Sequence, residues 1–121
     1  MVTQKGCTVW FTGLPCCGKT TIADTLAGIL KKQGYNVERL DGDSIRKDLT
    51  SDLGFSKKDR DENIKRVTFV AKVLTRNGVF VLATFVSPYR KRREETRKEI
   101  GNFVEVYTRC PVEVALYSRY C

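Results

Sequence analysis

One stretch constrains this chain more than any other: Gly13-Leu14-Pro15-Cys16-Cys17-Gly18-Lys19-Thr20, with four residues between its glycines and a lysine and a hydroxyl residue after the second. The glycines let the backbone curl until its N–H groups converge on phosphate oxygens, and a helix beginning near Lys19 adds the positive end of its dipole. Such a loop works only between a strand and a helix, and the flanking residues supply both. Cys7 to Thr12 is rich in β-branched and aromatic side chains and reads as a buried strand. From Lys19 to about Gln33, Ile22, Ala23, Leu26, Ile29 and Leu30 recur at helical spacing, and Gly34 stands where a C-terminal cap belongs. In this setting the backbone from Gly13 to Thr21 is expected to hold nucleotide phosphates. Lys19 would reach the β- and γ-phosphates, and the Thr20 hydroxyl would ligate Mg²⁺.

The remaining chain continues the alternation. Asn36 to Leu40 predicts a second strand, closed by Asp41-Gly42-Asp43, with a short helix over Ser44 to Thr50. A longer helix is predicted from Lys57 to Arg76, with its apolar stripe through Ile64, Val67, Val70, Ala71 and Leu74 and a stop at Asn77-Gly78. Val79 to Phe85 is almost wholly apolar, as a central parallel strand covered on both faces should be. Ser87-Pro88 opens a basic helix to about Ile100, Phe103 to Tyr107 makes a fourth strand, and Pro111 starts a last helix. The pattern predicts one α/β domain over residues 1–121, a parallel sheet between two helical layers. Ligands of such sheets bind beyond the carboxyl ends of the strands, where Gly13, Asp41, Asp43 and Ser87 all fall.

Charge and composition narrow the chemistry. The net charge of +8 favours anionic partners. Nucleic acid is disfavoured, because the basic residues lack the interleaved aromatics of a stacking platform. No apolar run approaches the roughly eighteen residues of a membrane span, and the polar Met1–Gly6 start lacks the form of a signal peptide, so a cytoplasmic location is expected. The five cysteines, Cys7, Cys16, Cys17, Cys110 and Cys121, are odd in number and irregularly spaced, against both a disulfide framework and a zinc site. With no histidine in the chain, a histidine base and a phosphohistidine relay are excluded.

A phosphate loop serves switches, motors and kinases alike. A GTPase or ATPase usually carries its magnesium-supporting acid at the end of an apolar strand, and Val79 to Phe85 contains none. The acids instead follow the second strand, where Asp41 and Asp43 could face an acceptor hydroxyl and take its proton. The same Asp-Gly-Asp also suits a tight turn with a helix cap at Asp43. Arg46 lies a helical turn beyond Asp43, and Arg60, Asn63 and Arg66 recur at three-residue spacing on one helix face. Guanidinium groups so placed suit an acceptor that carries negative groups. The Lys91-Arg92-Arg93 run reads as a solvated face.

The linked segments Leu40-Asp41-Gly42-Asp43 with Arg46, Asp52-Leu53-Gly54-Phe55-Ser56, Asp59-Arg60 with Asn63, and Phe85-Val86-Ser87-Pro88-Tyr89-Arg90 resemble the adenylyl-sulfate kinase family in order and spacing, from about Gly6 to Arg119. The resemblance implies a P-loop three-layer α/β/α fold and transfer of phosphate from MgATP to the 3′-hydroxyl of adenosine 5′-phosphosulfate. It assigns Lys19, Asp43 and Asp41 to catalysis, with Asp43 activating the hydroxyl. Arg46, Arg60 and Asn63 would hold the phosphosulfate end, Phe55 would pack on the adenine, and Phe85, Val86 and Ser87 would line the acceptor pocket. Direct transfer is expected rather than a phosphoserine at Ser87, which has no evident base. A homodimer, or fusion to a sulfate adenylyltransferase domain, is the assembly it suggests. Family members continue into a basic lid and a fifth strand. Arg119 stands where the lid opens, with Tyr120 where an Asp is expected, so lid and fifth strand are expected to be missing. That would leave Phe103–Tyr107 as a bare edge and transfer weak or absent. Two further readings stay open: a module that binds nucleotide without transferring phosphate, and a different P-loop small-molecule kinase.

Overall fold

The computed structural model describes residues 5–13, 18–85 and 89–108. The elements run β1 (Cys7–Gly13), α1 (Lys19–Lys32), β2 (Val37–Asp41), α2 (Gly42–Asp48), α3 (Lys57–Arg76), β3 (Phe80–Thr84), α4 (Arg90–Ile100) and β4 (Phe103–Thr108). The expected last helix from Pro111, and the lid position at Arg119 and Tyr120, lie outside the described residues.

The four strands form one parallel sheet in the order β2-β3-β1-β4. Its centre is β3, where Val81, Leu82 and Ala83 are fully buried. That is the reason for its unbroken apolar run: one face of the strand meets α1 and the other meets α3. On the α1 side, Phe11 and Leu82 pack with Ala23 and Ala27, joined by Val9, Leu26, Leu30, Val37 and Val106. On the other side, Trp10, Leu40, Val81, Ala83 and Phe85 pack with Ile64, Val67 and Ala71 of α3. Helices α1 and α3 end alike. Tyr35 N–H bonds to the Leu30 carbonyl and Gly34 N–H to Lys31, while Val79 N–H bonds to Leu74 and Gly78 N–H to Thr75. Both are Schellman motifs, and each turns the chain straight into the next strand.

Three expectations change in detail. The inward stripe of α1 is Ala23, Leu26, Ala27 and Leu30, while Ile22 and Ile29 are about half exposed. The two alanines let the helix lie close to the sheet, which turns the isoleucines outward. Helix α2 begins at Gly42 rather than Ser44, because the Asp41 side chain accepts the Asp43 N–H at 3.1 Å and caps the helix earlier. The cap is therefore Asp41, not Asp43.

The third change concerns α4. Its sequence, RKRREETRKEI, has almost no apolar stripe, and the helix docks through charge and hydroxyl contacts instead. Arg92 forks onto Asp61 of α3, Nε to Oδ1 and Nη2 to Oδ2, both at 2.7 Å. Arg93 Nε lies 3.1 Å from Glu105 of β4, and the buried Thr96 shares a 2.9 Å hydrogen bond with Thr68. The Lys91-Arg92-Arg93 run is thus not a solvated face, since Arg92 and Arg93 are joined to neighbouring elements.

At the opposite edge from β2, β4 meets β1 with Gly13 level with Thr108. Gly13 has φ 137°, and a Cβ there would overlap the Thr108 carbonyl oxygen and lie 2.6 Å from its Oγ1. Both objections come from the folded geometry, and the nearest obstacle is backbone, which cannot turn aside. Gly13→Ala is therefore expected to destabilise the fold by about 2–3 kcal/mol or more, read as a lower urea midpoint.

The Arg92 guanidinium holds the Asp61 carboxyl below its ordinary value, chiefly by hydrogen bonding and against the opposing effect of desolvation. A lowered folded pKa stabilises the fold above the unfolded carboxylate value, and this contribution is lost as pH falls through the folded one. Because Asp61 is 42% exposed, solvent screening limits the pair to about 1 kcal/mol. Asp61→Asn should lower stability by that amount near pH 7. The gap between mutant and wild type should close progressively below about pH 4, measured by urea unfolding across pH.

Candidate functional site

The parallel register brings the ends of the strands to one rim. Phe11 and Asp41 both stand level with Thr84, and β1 runs on to Gly13. Chain leaving β1 and β2 therefore emerges on the same side of the sheet.

At the end of β1, Leu14, Pro15, Cys16 and Cys17 lie outside the described residues, as does the Lys19 side chain. Gly18 is the N-cap of α1 with φ 81° and ψ 14°, a left-handed conformation that suits glycine. It has no side chain to cap the helix, and no acid occupies the first turn. The first helical bond is Ile22 N–H to the Gly18 carbonyl at 2.9 Å, so the N–H groups of Lys19, Thr20 and Thr21 precede the helical ladder. A Cβ added at Gly18 would meet no atom of the described residues within 4 Å, and Thr20 is exposed. A helix start with no acid and no cap is a place where phosphate fits. The Thr20 hydroxyl there is the kind of oxygen that Mg²⁺ takes beside nucleotide phosphates.

At the end of β2, one oxygen of Asp41 is committed to the cap on Asp43 N–H. The Asp43 carboxylate is exposed and has no hydrogen bond or ion pair among the described residues. Asp41 thus shapes the turn and leaves Asp43 open to a ligand.

Beyond α2 a bracket of residues presents an aromatic ring. Arg46 Nη1 donates to the Gly54 carbonyl at 2.9 Å, and its guanidinium carbon lies 4.4 Å from the centre of the Phe55 ring. Phe55 is 71% exposed. Its loop is tied on both sides. Gly54 N–H donates to Asp59 Oδ2 at 2.9 Å, and Ser56 Oγ caps α3 by accepting Asp59 N–H at 3.1 Å. Arg66 forks onto Asp52 at 2.7 and 3.1 Å and reaches Glu62 at 3.3 Å. These bonds hold the Asp52 carboxyl below its ordinary value and raise Arg66.

The arginine set suggested by spacing therefore separates. Arg66 is a structural tie. Asn63 is buried, its Oδ1 accepting from Thr50 Oγ1 at 2.7 Å. Arg60 is exposed, with no ion pair among the described residues. The Phe85 ring is a core group, stacked on Trp10 with centroids 5.3 Å apart, so only its backbone is left for the rim. Val86 and Ser87 lie outside the described residues.

Two linkages were not foreseen. Arg92 reads from sequence as part of a solvated face, and nothing in the local spacing pairs it with Asp61. Arg39 in β2 bonds Asp24 of α1 and, on β3, the Leu82 carbonyl and Thr84. Its signal was a lone arginine on the same strand face as the inward Val37, a period-2 clash with burial.

The chain is similar to known proteins. A family profile described as adenylylsulphate kinase matches residues 5–118. The adenylyl-sulfate kinase of Halothermothrix orenii is 58% identical over 114 residues, covering 94% of this chain and 62% of the relative. A probable adenylyl-sulfate kinase of Pseudomonas aeruginosa is 53% identical over 96% of this chain and 54% of its own length. This chain therefore spans somewhat over half the length of these relatives. Among solved structures, the Mycobacterium tuberculosis APS kinase in complex with AMPPNP and APS superposes with a TM-score of 0.87 at 37% identity, over 93% of this chain and 68% of that one. A gluconokinase from Sinorhizobium meliloti, at 14% identity and TM-score 0.66, shares the fold alone. The chain belongs to the adenylylsulphate kinase family.

Proposed function

We propose that this chain transfers the γ-phosphoryl group of ATP to the 3′-hydroxyl of adenosine 5′-phosphosulfate, giving 3′-phosphoadenosine 5′-phosphosulfate and ADP. The observation that carries the reading is the pairing of an acid-free helix start at Gly18, with no side-chain cap, and an exposed Asp43 that has no partner among the described residues, on the same rim of the sheet. The M. tuberculosis relative captured with AMPPNP and APS supports the choice of both substrates.

In this reading the backbone from Gly13 to Thr21, including Leu14, Pro15, Cys16 and Cys17, cradles the ATP phosphates, and Lys19 follows the charge on the transferring group. Thr20 would help hold Mg²⁺ beside the phosphates, and the ion would supply charge neutralisation there. Asp43 accepts the proton of the 3′-hydroxyl. The bond from that oxygen to the γ-phosphorus forms as the bond to the β,γ-bridging oxygen breaks, and the electron pair leaves with ADP. Asp41 keeps Asp43 in place through the cap. Arg46 and Arg60 hold the phosphosulfate, to which the buried Asn63 has only its amide N–H groups to offer, Phe55 takes the adenine, and the backbone of Phe85 with Val86 and Ser87 lines the acceptor pocket.

A coupled ADP-release assay with ATP, Mg²⁺ and adenosine 5′-phosphosulfate tests the reaction. Wild type should release ADP only when the acceptor is present, and Lys19→Ala and Asp43→Ala should each lower kcat by about 100-fold or more. Acceptor-independent release, or none, would reject the proposal. Phe55→Ala should raise KM for the acceptor about tenfold while leaving KM for ATP unchanged, because base–aromatic stacking is worth about 1–3 kcal/mol.

A further inference from the structure

Arg39 is a partly buried cation that the reaction as described does not use. Its side chain is only 16% exposed, yet it stands in a sheet whose neighbouring positions are apolar. It is engaged from end to end. Nε donates to Asp24 Oδ1 at 2.8 Å, Nη1 to the Leu82 carbonyl at 2.6 Å and Nη2 to Thr84 Oγ1 at 3.2 Å. Those contacts belong to two elements, which Arg39 joins to its own strand β2. Asp24 sits in the second turn of α1, the helix that begins at the phosphate loop. Leu82 and Thr84 are the last inward residues of β3 before Phe85-Val86-Ser87. Arg39 itself lies two residues before Asp41, opposite Leu82.

From this junction we infer that Arg39 is a positioning residue for phosphoryl transfer: it locks the helix that carries the donor site to the strand ends that carry the acceptor site. The inference rests on the kinase reading. A planar guanidinium can span three partners in fixed directions, which a flexible ammonium cannot. The alternative tie between α1 and the sheet is the apolar contact of Ala23, Leu26, Ala27 and Leu30. Apolar contact is non-directional, whereas Arg39, held on β3 by two directed bonds, gives α1 one directed bond through Asp24. In-line transfer is sensitive to such sliding, since a displacement of about 1 Å can cost on the order of 100-fold in rate. Arg39 touches neither substrate in this scheme, so its loss should fall on kcat rather than on binding.

The test is steady-state kinetics of full chains carrying Arg39→Ala, Arg39→Lys and Asp24→Asn. Each is assayed well below its own melting midpoint, so that all are folded. The expected result is a kcat lowered about 100-fold in Arg39→Ala and about tenfold in Arg39→Lys and Asp24→Asn, with KM for both substrates within about threefold of wild type. Arg39→Lys and Asp24→Asn preserve bulk and keep the test open if Arg39→Ala does not fold. Wild-type kcat in those two folded variants, even with a lower melting midpoint, would reduce Arg39 to a stability residue and overturn the inference alone. So would a loss confined to KM. Absence of turnover in the wild-type chain would overturn the kinase reading, and this inference with it.

Discussion

The register of β3 against its two neighbours determines where every site residue stands. With Val81, Leu82 and Ala83 fully buried, alternate side chains of this strand are claimed by different helices. A slip of one residue would exchange Leu82 for Val81 or Ala83 on the α1 face. Once the register is set, Phe11 and Asp41 align with Thr84, and the end of β1 at Gly13 and the Asp41–Asp43 turn lie on one side. The site is a consequence of strand direction and register before any side-chain chemistry enters. The same logic explains Gly13. The end of β4 comes so close to β1 there that the backbone of Thr108 leaves no room for a Cβ.

The second organising constraint is how an excess of cations is distributed. Much of the acid near the site is spent on structure: Asp24 on Arg39, Asp41 on its cap, Asp52 on Arg66, Asp59 on Gly54 and Asp61 on Arg92. Of the two rim carboxylates, Asp43 remains unpartnered among the described residues. The arginines divide in the same way. Arg39, Arg66, Arg92 and Arg93 face carboxylates of neighbouring elements, while Arg46 and Arg60 have no ion pair among the described residues. A net charge of +8 is thus not spread evenly, because pairing removes the structural cations and leaves the others to attract an anion.

This division also explains what could be read from the sequence. The strands, and the span of α3 from Lys57 to Arg76, were legible because apolar period and stop signals are local. The strand before and the helix after the glycine-lysine spacing were legible because such a motif works only between those two elements. The start of α2 was misjudged by two residues, since Asp-Gly-Asp offers two equivalent caps and only the path of β2 selects Asp41. Ile22 and Ile29 were placed inward because period alone does not choose between a stripe of isoleucines and one of alanines a residue away. The sheet chose the smaller side chains. Arg66 and Arg92 could not be sorted from the free arginines, because their partners Asp52 and Asp61 lie 14 and 31 residues away. Long-range pairing, not propensity, decides which charge is structural.

The presentation of Phe55 follows from the same use of paired charge. A phenylalanine 71% exposed is ordinarily a cost, since its ring orders water and samples several rotamers. Here Arg46 lies over the ring, and a cation–π contact at an exposed site is worth about 0.5–1 kcal/mol. Arg46 is itself fixed by the Gly54 carbonyl, and Gly54 is fixed in turn by Asp59. Each bond is weak alone, but in series they restrict an exposed ring without burying it. The exposure also means that the cation covers only part of the aromatic surface, leaving area for a flat partner to stack. An apolar pocket could hold the ring as firmly only by covering the surface that recognition needs. For an exposed aromatic group, anchoring through carbonyls and a guanidinium keeps order and access together.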